Sequence, residues 1–156
     1  MLRRLLQILF VVVCVGLFGC SDYQRRWNTA APAAAGRDAF EGSYFGSWDS
    51  AQYAGAKGKL WCILTRQSPQ VYRADFRATW HGVFSSQHTV LLKVKERKRV
   101  RGREVVKFEG ETEIKMWIGS GRYHCVGEMT PGQFRANYDA KYDRGTFTMA
   151  RAGVRQ

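Results

Sequence analysis

A strict alternation of apolar and polar side chains is the feature of this sequence that most restricts its fold. Between residues 72 and 80, every even position is aromatic or Ala, and every odd position is charged or polar. Residues 134–142 repeat the pattern. Because successive side chains of a β-strand point to opposite faces of a sheet, each segment has one dry and one wet face. The alternation therefore predicts antiparallel sheet with one face exposed to solvent.

The two alternating segments belong to a longer similarity between the two halves of the chain. In each half a Pro lies three residues before the aromatic segment, a Cys lies six or seven residues before that Pro, and a Gly lies four residues before the Cys. The matched landmarks are Gly58, Cys62, Pro69 and Tyr72 in the first half, and Gly121, Cys125, Pro131 and Phe134 in the second. Repetition at a fixed interval favours an internal duplication of a four-stranded meander. The alternative is that any two amphipathic strands look alike.

Eight strands follow from this frame, joined by short turns. They are predicted at residues 42–53, 58–65, 71–80, 83–95, 103–118, 121–129, 132–142 and 144–151. Consecutive strands with short connections form an up-and-down meander, and eight of them can close into a barrel that has no free edge. We therefore expect an all-β domain at residues 42–151, either a barrel or a flattened barrel or sandwich, followed by a short tail at residues 152–156. The length of 156 residues suits one folded domain, and the hydrophobic fraction of 45% excludes an intrinsically disordered chain.

The first twenty residues have the layout of a secretory signal peptide. Arg3 and Arg4 precede an apolar run over residues 5–18, which is too short to span a bilayer comfortably. The run ends in Leu-Phe-Gly-Cys at residues 17–20, which resembles the lipobox of bacterial lipoproteins. In that family the Cys becomes the mature N-terminus and carries acyl chains such as palmitate.

This resemblance implies that Cys20 is the lipid attachment site and that residues 1–19 are the signal peptide. Residues 20–41 are expected to be a flexible tether, because residues 28–36 are small and low in charge. An uncleaved N-terminal anchor helix is the alternative, and it also places the domain outside the cytoplasm. Lipoproteins with Asp directly after the Cys tend to stay at the inner membrane. Ser21 occupies that position here, so the resemblance favours the outer membrane in an organism that has two membranes.

Positive charge is concentrated in one predicted hairpin. The net charge of the whole chain is +12, and residues 93–107 contain eight basic and two acidic residues. The candidate anion-binding residues are Lys95, Arg97, Lys98, Arg99, Arg101 and Arg103. They suit anionic lipid headgroups, lipopolysaccharide phosphates or an acidic envelope polymer, whereas export from the cytoplasm argues against nucleic acid. The alternative is a solvated hairpin whose charges prevent an exposed strand from pairing with other chains.

A second resemblance concerns the first strand, where Gly46 and Trp48 form a Gly-x-Trp pattern. The pattern is similar to the first strand of calycins, the lipocalin and avidin-like barrels. It implies a carrier of a small apolar ligand, held inside the barrel. The residues that would face such a ligand are Tyr72, Phe76, Trp80, Phe134, Tyr138 and Tyr142. The alternative for these aromatic residues is plain core packing.

No catalytic or metal-binding pattern is visible in the sequence. His81, His88 and His124 are isolated, without the spacing of a metal site, and no nucleophile elbow is present. Asp75 and Asp139 fall on the outward face of their strands, where they are expected to be solvated partners of nearby Arg residues. We therefore expect neither an enzyme nor a cofactor.

Cys62 and Cys125 are the thiols that remain after signal cleavage and lipidation. Outside the cytoplasm two Cys residues favour a disulfide. Strands two and six face each other across a round eight-stranded barrel, however, and a disulfide requires Cα atoms within about 7 Å. The sequence leaves two interpretations open, a disulfide in a flattened barrel or two buried thiols that act as small apolar side chains.

Overall fold

Eight antiparallel strands form a closed barrel in which each strand pairs with its neighbours in the chain and the last pairs with the first. The computed structural model describes residues 22–30, 38–80, 84–116 and 119–153. The strands are β1 (Gly42–Ser50), β2 (Lys57–Ser68), β3 (Val71–Trp80), β4 (Phe84–Val100), β5 (Arg103–Met116), β6 (Gly119–Thr130), β7 (Gln133–Ala140) and β8 (Asp143–Arg151). The predicted all-β, up-and-down barrel is confirmed, in its closed form.

The barrel interior is filled by side chains from every strand. Phe134 is fully buried, and its ring centroid lies 4.8 Å from that of Phe108, 6.0 Å from that of Phe76 and 6.4 Å from that of Tyr44. Tyr72, the counterpart of Phe134 in the first half of the chain, is also fully buried. Both positions of this matched pair therefore face the interior.

One end of the barrel is covered by the segment that leads into β1. Phe40 lies over the interior with 1% of its surface exposed, and the Tyr44 hydroxyl donates to its carbonyl at 2.7 Å. Arg151, at the end of β8, donates to the carbonyls of Ala39 and Glu41. We call this end, where β4 turns into β5, the capped end, and the opposite end the far end.

A helix precedes the barrel and packs against its outer surface. This helix, α1, covers residues 22–30, within the range predicted to be a tether. Tyr23 is 2% exposed and donates through its hydroxyl to the Asp75 carbonyl at 2.9 Å. The Trp27 indole donates to the Tyr44 carbonyl at 3.3 Å. The described part of the predicted tether is thus docked on the barrel, while the predicted signal peptide, Cys20 and residues 154–156 lie outside the described residues. Among the residues that the structure describes, no helix has the length and apolar character needed to cross a bilayer.

Candidate functional site

The basic segment forms a hairpin that extends past the capped end of the barrel. β4 pairs with β3 only as far as Lys93, and β5 begins to pair with β6 only at Val106. Residues 98–100 and 103–105 therefore pair only with each other. We call residues 94–107 the hairpin arm. Its turn is tight, because Arg101 and Gly102 have φ angles of 48° and 77°, as two-residue hairpin turns require.

Arg97 fixes the base of the hairpin arm to the barrel. Its guanidinium donates to Glu104 at 3.0 Å, to the Tyr72 hydroxyl at 3.0 Å and to the Pro69 carbonyl at 3.1 Å. It also lies 5.8 Å from the ring centroids of Phe40 and Tyr72. Arg97 is therefore a structural residue that orients the arm, and its charge is already compensated.

Ion pairs neutralise the other basic residues where the arm joins the barrel, but they leave the tip of the arm, at its turn, positively charged. Lys95 contacts Glu109 at 2.6 Å, and Lys107 contacts Glu96 at 2.8 Å. Hydrogen bonds from Lys95 and His124 lower the pKa of Glu109, so this carboxylate stays ionised beside the arm. Four basic side chains of the hairpin arm have no carboxylate of the described residues within ion-pair distance. These are Lys98, Arg99, Arg101 and Arg103, all exposed and all at or next to the turn.

The structure divides the predicted ligand-facing aromatic residues into three groups. Tyr72, Phe76, Phe134 and Tyr138 are buried in the interior, and Trp80 is half-buried at the end of β3. Tyr142 does not face the interior. It lies in the turn after β7 and is 46% exposed. The strand ends at Ala140, two residues before the alternation in the sequence stops.

Two polar groups without partners lie among the interior aromatic rings. Both ring nitrogens of His88 and the hydroxyl of Tyr123 are buried, and none of them has a hydrogen-bond partner within the described residues. The His88 ring stacks on Phe76 with centroids 5.4 Å apart and meets the Tyr123 ring edge-on at 5.4 Å. Burial lowers the pKa of His88 to about 4, so its imidazole is neutral at pH 7. Sequence reasoning identified His88 only as an isolated residue. The available signal was its even-numbered position, which it shares with the apolar residues Val90 and Leu92 and which places it on the inward face of β4.

Cys62 and Cys125 are both buried and both free, so the described structure contains two separate thiols instead of a disulfide. Burial raises the pKa of the Cys125 thiol to about 12 and raises that of Cys62 well above its usual range. Neither residue therefore forms a reactive thiolate at neutral pH. They fill interior positions on β2 and β6.

Asp75 differs most from its predicted environment. It points outward as expected, but α1 covers it, and its side chain is only 10% exposed. It accepts hydrogen bonds from Arg73 at 3.0 Å, from Arg26 at 3.3 Å and from Thr89. Tyr23 and Trp27, spaced four residues apart, were the available signal for a docked helix. Asp139, by contrast, is exposed, as predicted.

No group of three His, Cys, Asp or Glu side chains that could hold a metal ion occurs in the part of the chain that the structure describes. Comparison with protein-family models and with curated protein sequences finds no match to this chain. The observed fold, a closed eight-stranded antiparallel barrel, is compatible with the calycin-like architecture that the first strand resembles. The class that fold and site define is therefore a small β-barrel module with a projecting cationic arm.

Proposed function

We propose that this protein is a lipoprotein of the bacterial envelope, attached to the membrane through Cys20, whose hairpin arm binds anionic envelope components. The observation that carries the binding role is the cluster of four unpaired basic side chains at the tip of an arm that Arg97 joins to the barrel. The lipobox-like residues 17–20 support the attachment, and Ser21 favours the outer membrane. Phosphate groups of anionic lipids or lipopolysaccharide, or carboxylates of an acidic polymer, provide the matching charge.

The arm suits an extended anionic surface better than a small ligand. It presents its charges on a two-stranded ribbon with no enclosing walls, because neither strand has an outer neighbour there. Each basic residue near a charged membrane contributes about 1 kcal/mol, and such contacts weaken with salt. The ordered base matters because it holds the basic side chains together before binding occurs.

Neutralising the tip tests this proposal. In the chain of residues 21–156, which lacks the lipid, Lys98→Gln, Arg99→Gln, Arg101→Asn and Arg103→Gln are combined, while Arg97 is kept. Asn at position 101 accommodates the positive φ of the turn. At low salt we expect at least about a tenfold loss of affinity for vesicles containing phosphatidylglycerol and for lipopolysaccharide, measured by sedimentation and by calorimetry. Higher salt should reduce the difference.

The matched control removes the same number of charges from β6, β7 and the far end. It combines Arg122→Gln, Arg135→Gln, Lys141→Gln and Arg144→Gln, all at exposed positions. We expect this control to lose much less affinity than the tip variant. Equal losses in both variants would indicate that only net charge matters, and unchanged binding of the tip variant would contradict the proposed role of the arm.

A carrier of a small, mostly apolar ligand is the second candidate function, and the unpartnered polar atoms of His88 and Tyr123 favour it. A ligand with an apolar body and one hydrogen-bonding group would match the rings of Phe76 and Tyr138 and bond to one or two of these three atoms. The packed centre of the barrel argues against a large ligand. A small ligand would therefore lie toward the far end, beside β4 and β6.

A fluorescent naphthylamine with one N–H group is a suitable probe for this candidate. If the protein is a carrier, titration should show saturable binding of one probe per chain. His88→Phe combined with Tyr123→Phe should then weaken binding about fivefold, since the single N–H of the probe makes one hydrogen bond that contributes about 1 kcal/mol. Tyr53→Phe, which removes a hydroxyl from a 53% exposed tyrosine, is the control and should bind normally. Absence of saturable binding to the unmodified chain would contradict the carrier function.

A further inference from the structure

We infer that the flank of the barrel formed by Phe45, Trp61 and Arg77 rests on the membrane surface, so that the barrel has one fixed orientation beside its lipid anchor. The inference rests on the proposed lipid attachment at Cys20 and adds to it the face that contacts the bilayer. Its occupant is the interfacial layer of the membrane that holds the anchor, with its phosphate headgroups and upper acyl chain segments.

The position of α1 brings the anchor close to this flank. The helix begins above β3, where Tyr23 bonds the Asp75 carbonyl at 2.9 Å, and ends above β1, where Trp27 bonds the Tyr44 carbonyl at 3.3 Å. Cys20 precedes the first helical residue by only two positions. Two extended residues span at most about 7 Å. A lipid on Cys20 would therefore hold this side of the barrel against the membrane instead of letting the domain swing on a long tether.

The row of side chains next to the helix has the chemistry of a membrane interface. The outward-facing row beneath α1 consists of Ser43 on β1, Ile63 on β2 and Asp75 on β3. The next outward-facing row, two residues along the same strands, consists of Phe45, Trp61 and Arg77. Two residues along a strand advance about 7 Å, so the second row lies directly beside the helix. The rings of Phe45 and Trp61 are 5.2 Å apart, and the Arg77 guanidinium lies 5.6 Å from the Trp61 ring.

Exposure and charge on this flank match a bilayer surface. Phe45 is 42% exposed even though it is a large apolar side chain in the middle of a strand. Aromatic rings with basic neighbours are favoured at the level of lipid headgroups, where the rings contact acyl chains and the cations contact phosphates. Exposed basic residues frame the row, with Lys57 and Lys59 on β2 and Arg25 on α1.

The opposite flank provides an internal comparison. Val126 on β6 is also 42% exposed, but its neighbours across the sheet are Glu109 and Asn137. It is an isolated apolar side chain among polar ones, and β6 lies across the barrel from β2. We therefore expect Val126 to face water when the protein is anchored.

Site-directed spin labelling of the mature lipidated chain, which begins at Cys20, tests this orientation in phosphatidylcholine and phosphatidylglycerol vesicles. The label is attached to Ser47→Cys, an exposed position one row beyond Phe45, or to Val126→Cys. The native Cys62 and Cys125 thiols are buried and should not react. We expect collisions of the label with an aqueous nickel chelate to be several-fold rarer at position 47 than at position 126. Equal collision rates at the two positions would overturn the inference.

A second variant isolates the aromatic pair. Phe45→Ser and Trp61→Ser, added to the Ser47→Cys chain, should raise the collision rate at position 47 toward the value at position 126, and a persistently low rate would overturn the role of the pair. Flotation of the chain with the vesicles is measured in parallel. Flotation with equal collision rates rejects only the orientation, whereas loss of flotation in the unsubstituted protein rejects the lipid attachment and the orientation together.

Discussion

Replacing Gly46 with Ala is expected to destabilise the barrel by about 3 kcal/mol, because the added methyl group meets backbone that has no room to move. A Cβ at this position would overlap the Thr148 carbonyl oxygen and lie 2.7 Å from the Met149 Cα. Gly46 pairs directly with Met149 where β1 meets β8, the seam that closes the barrel. A flexible side chain could rotate away from the new methyl group, but two backbone segments held by ladder hydrogen bonds on both sides cannot.

Urea unfolding followed by circular dichroism measures this effect, and the melting temperature should fall by about 10 °C. Gly132→Ala is the control. Gly132 lies in the turn before β7, a methyl group added there would have no heavy atom within 4 Å, and its φ is not positive. Its substitution should change stability by no more than about 0.5 kcal/mol. Equal stabilities of the two variants would contradict the close packing of β1 on β8.

The same glycine explains what the Gly-x-Trp pattern does in this chain. Gly46 permits the close approach of β8, while Trp48 turns its indole toward β3 and donates to the Thr79 carbonyl at 3.0 Å. Gly58, on β2, makes room for that indole, since a Cβ there would lie 2.6 Å from the indole nitrogen. The pattern thus supports closure of the barrel in this chain, which is a reason independent of any ligand for its presence.

Most strand positions could be predicted because each strand is followed by a short turn and carries its own alternation. β3 was predicted with its observed bounds, and β8 begins one residue earlier than expected. β4 was predicted to end at residue 95 but continues to Val100. Beyond Val94, which still packs against the core, the strand leaves the barrel, so both of its faces are solvated and the apolar alternation that indicates a strand disappears.

Contacts between distant segments account for what the sequence could not show. Asp75 was assigned to the outer face correctly, but its burial depends on α1, which lies about fifty residues earlier in the chain. Tyr142 continues the alternation of β7 past the end of that strand. The turn there is fixed by Asp143, which accepts hydrogen bonds from Ser50 at 2.6 Å and from Tyr138 at 2.7 Å. The pairing partners of the basic residues were equally unpredictable, and they reduce six candidate anion-binding residues to the four at the tip.

Replacing Phe134 with Ala is expected to cost about 4 kcal/mol in the free energy of unfolding, which is typical of a large aromatic side chain removed from a rigid core. Phe134 is fully buried and contacts the rings of Phe108, Phe76 and Tyr44. These neighbours belong to three other strands of a closed barrel, so they cannot collapse into the space without distorting the hydrogen-bonded ladder. Urea unfolding monitored by circular dichroism gives the cost directly.

Phe84→Ala is the matched control, since Phe84 is 57% exposed and stacks only on Trp80 among the described rings, with centroids 6.5 Å apart. We expect it to cost no more than about 1 kcal/mol. Benzene adds a second measurement, because dry apolar cavities of this kind bind it. Benzene should raise the melting temperature of the Phe134→Ala variant and leave the unmodified protein unchanged. A similar rise in the unmodified protein would show that its interior already has space for a ligand, and would support the carrier function over a filled structural core.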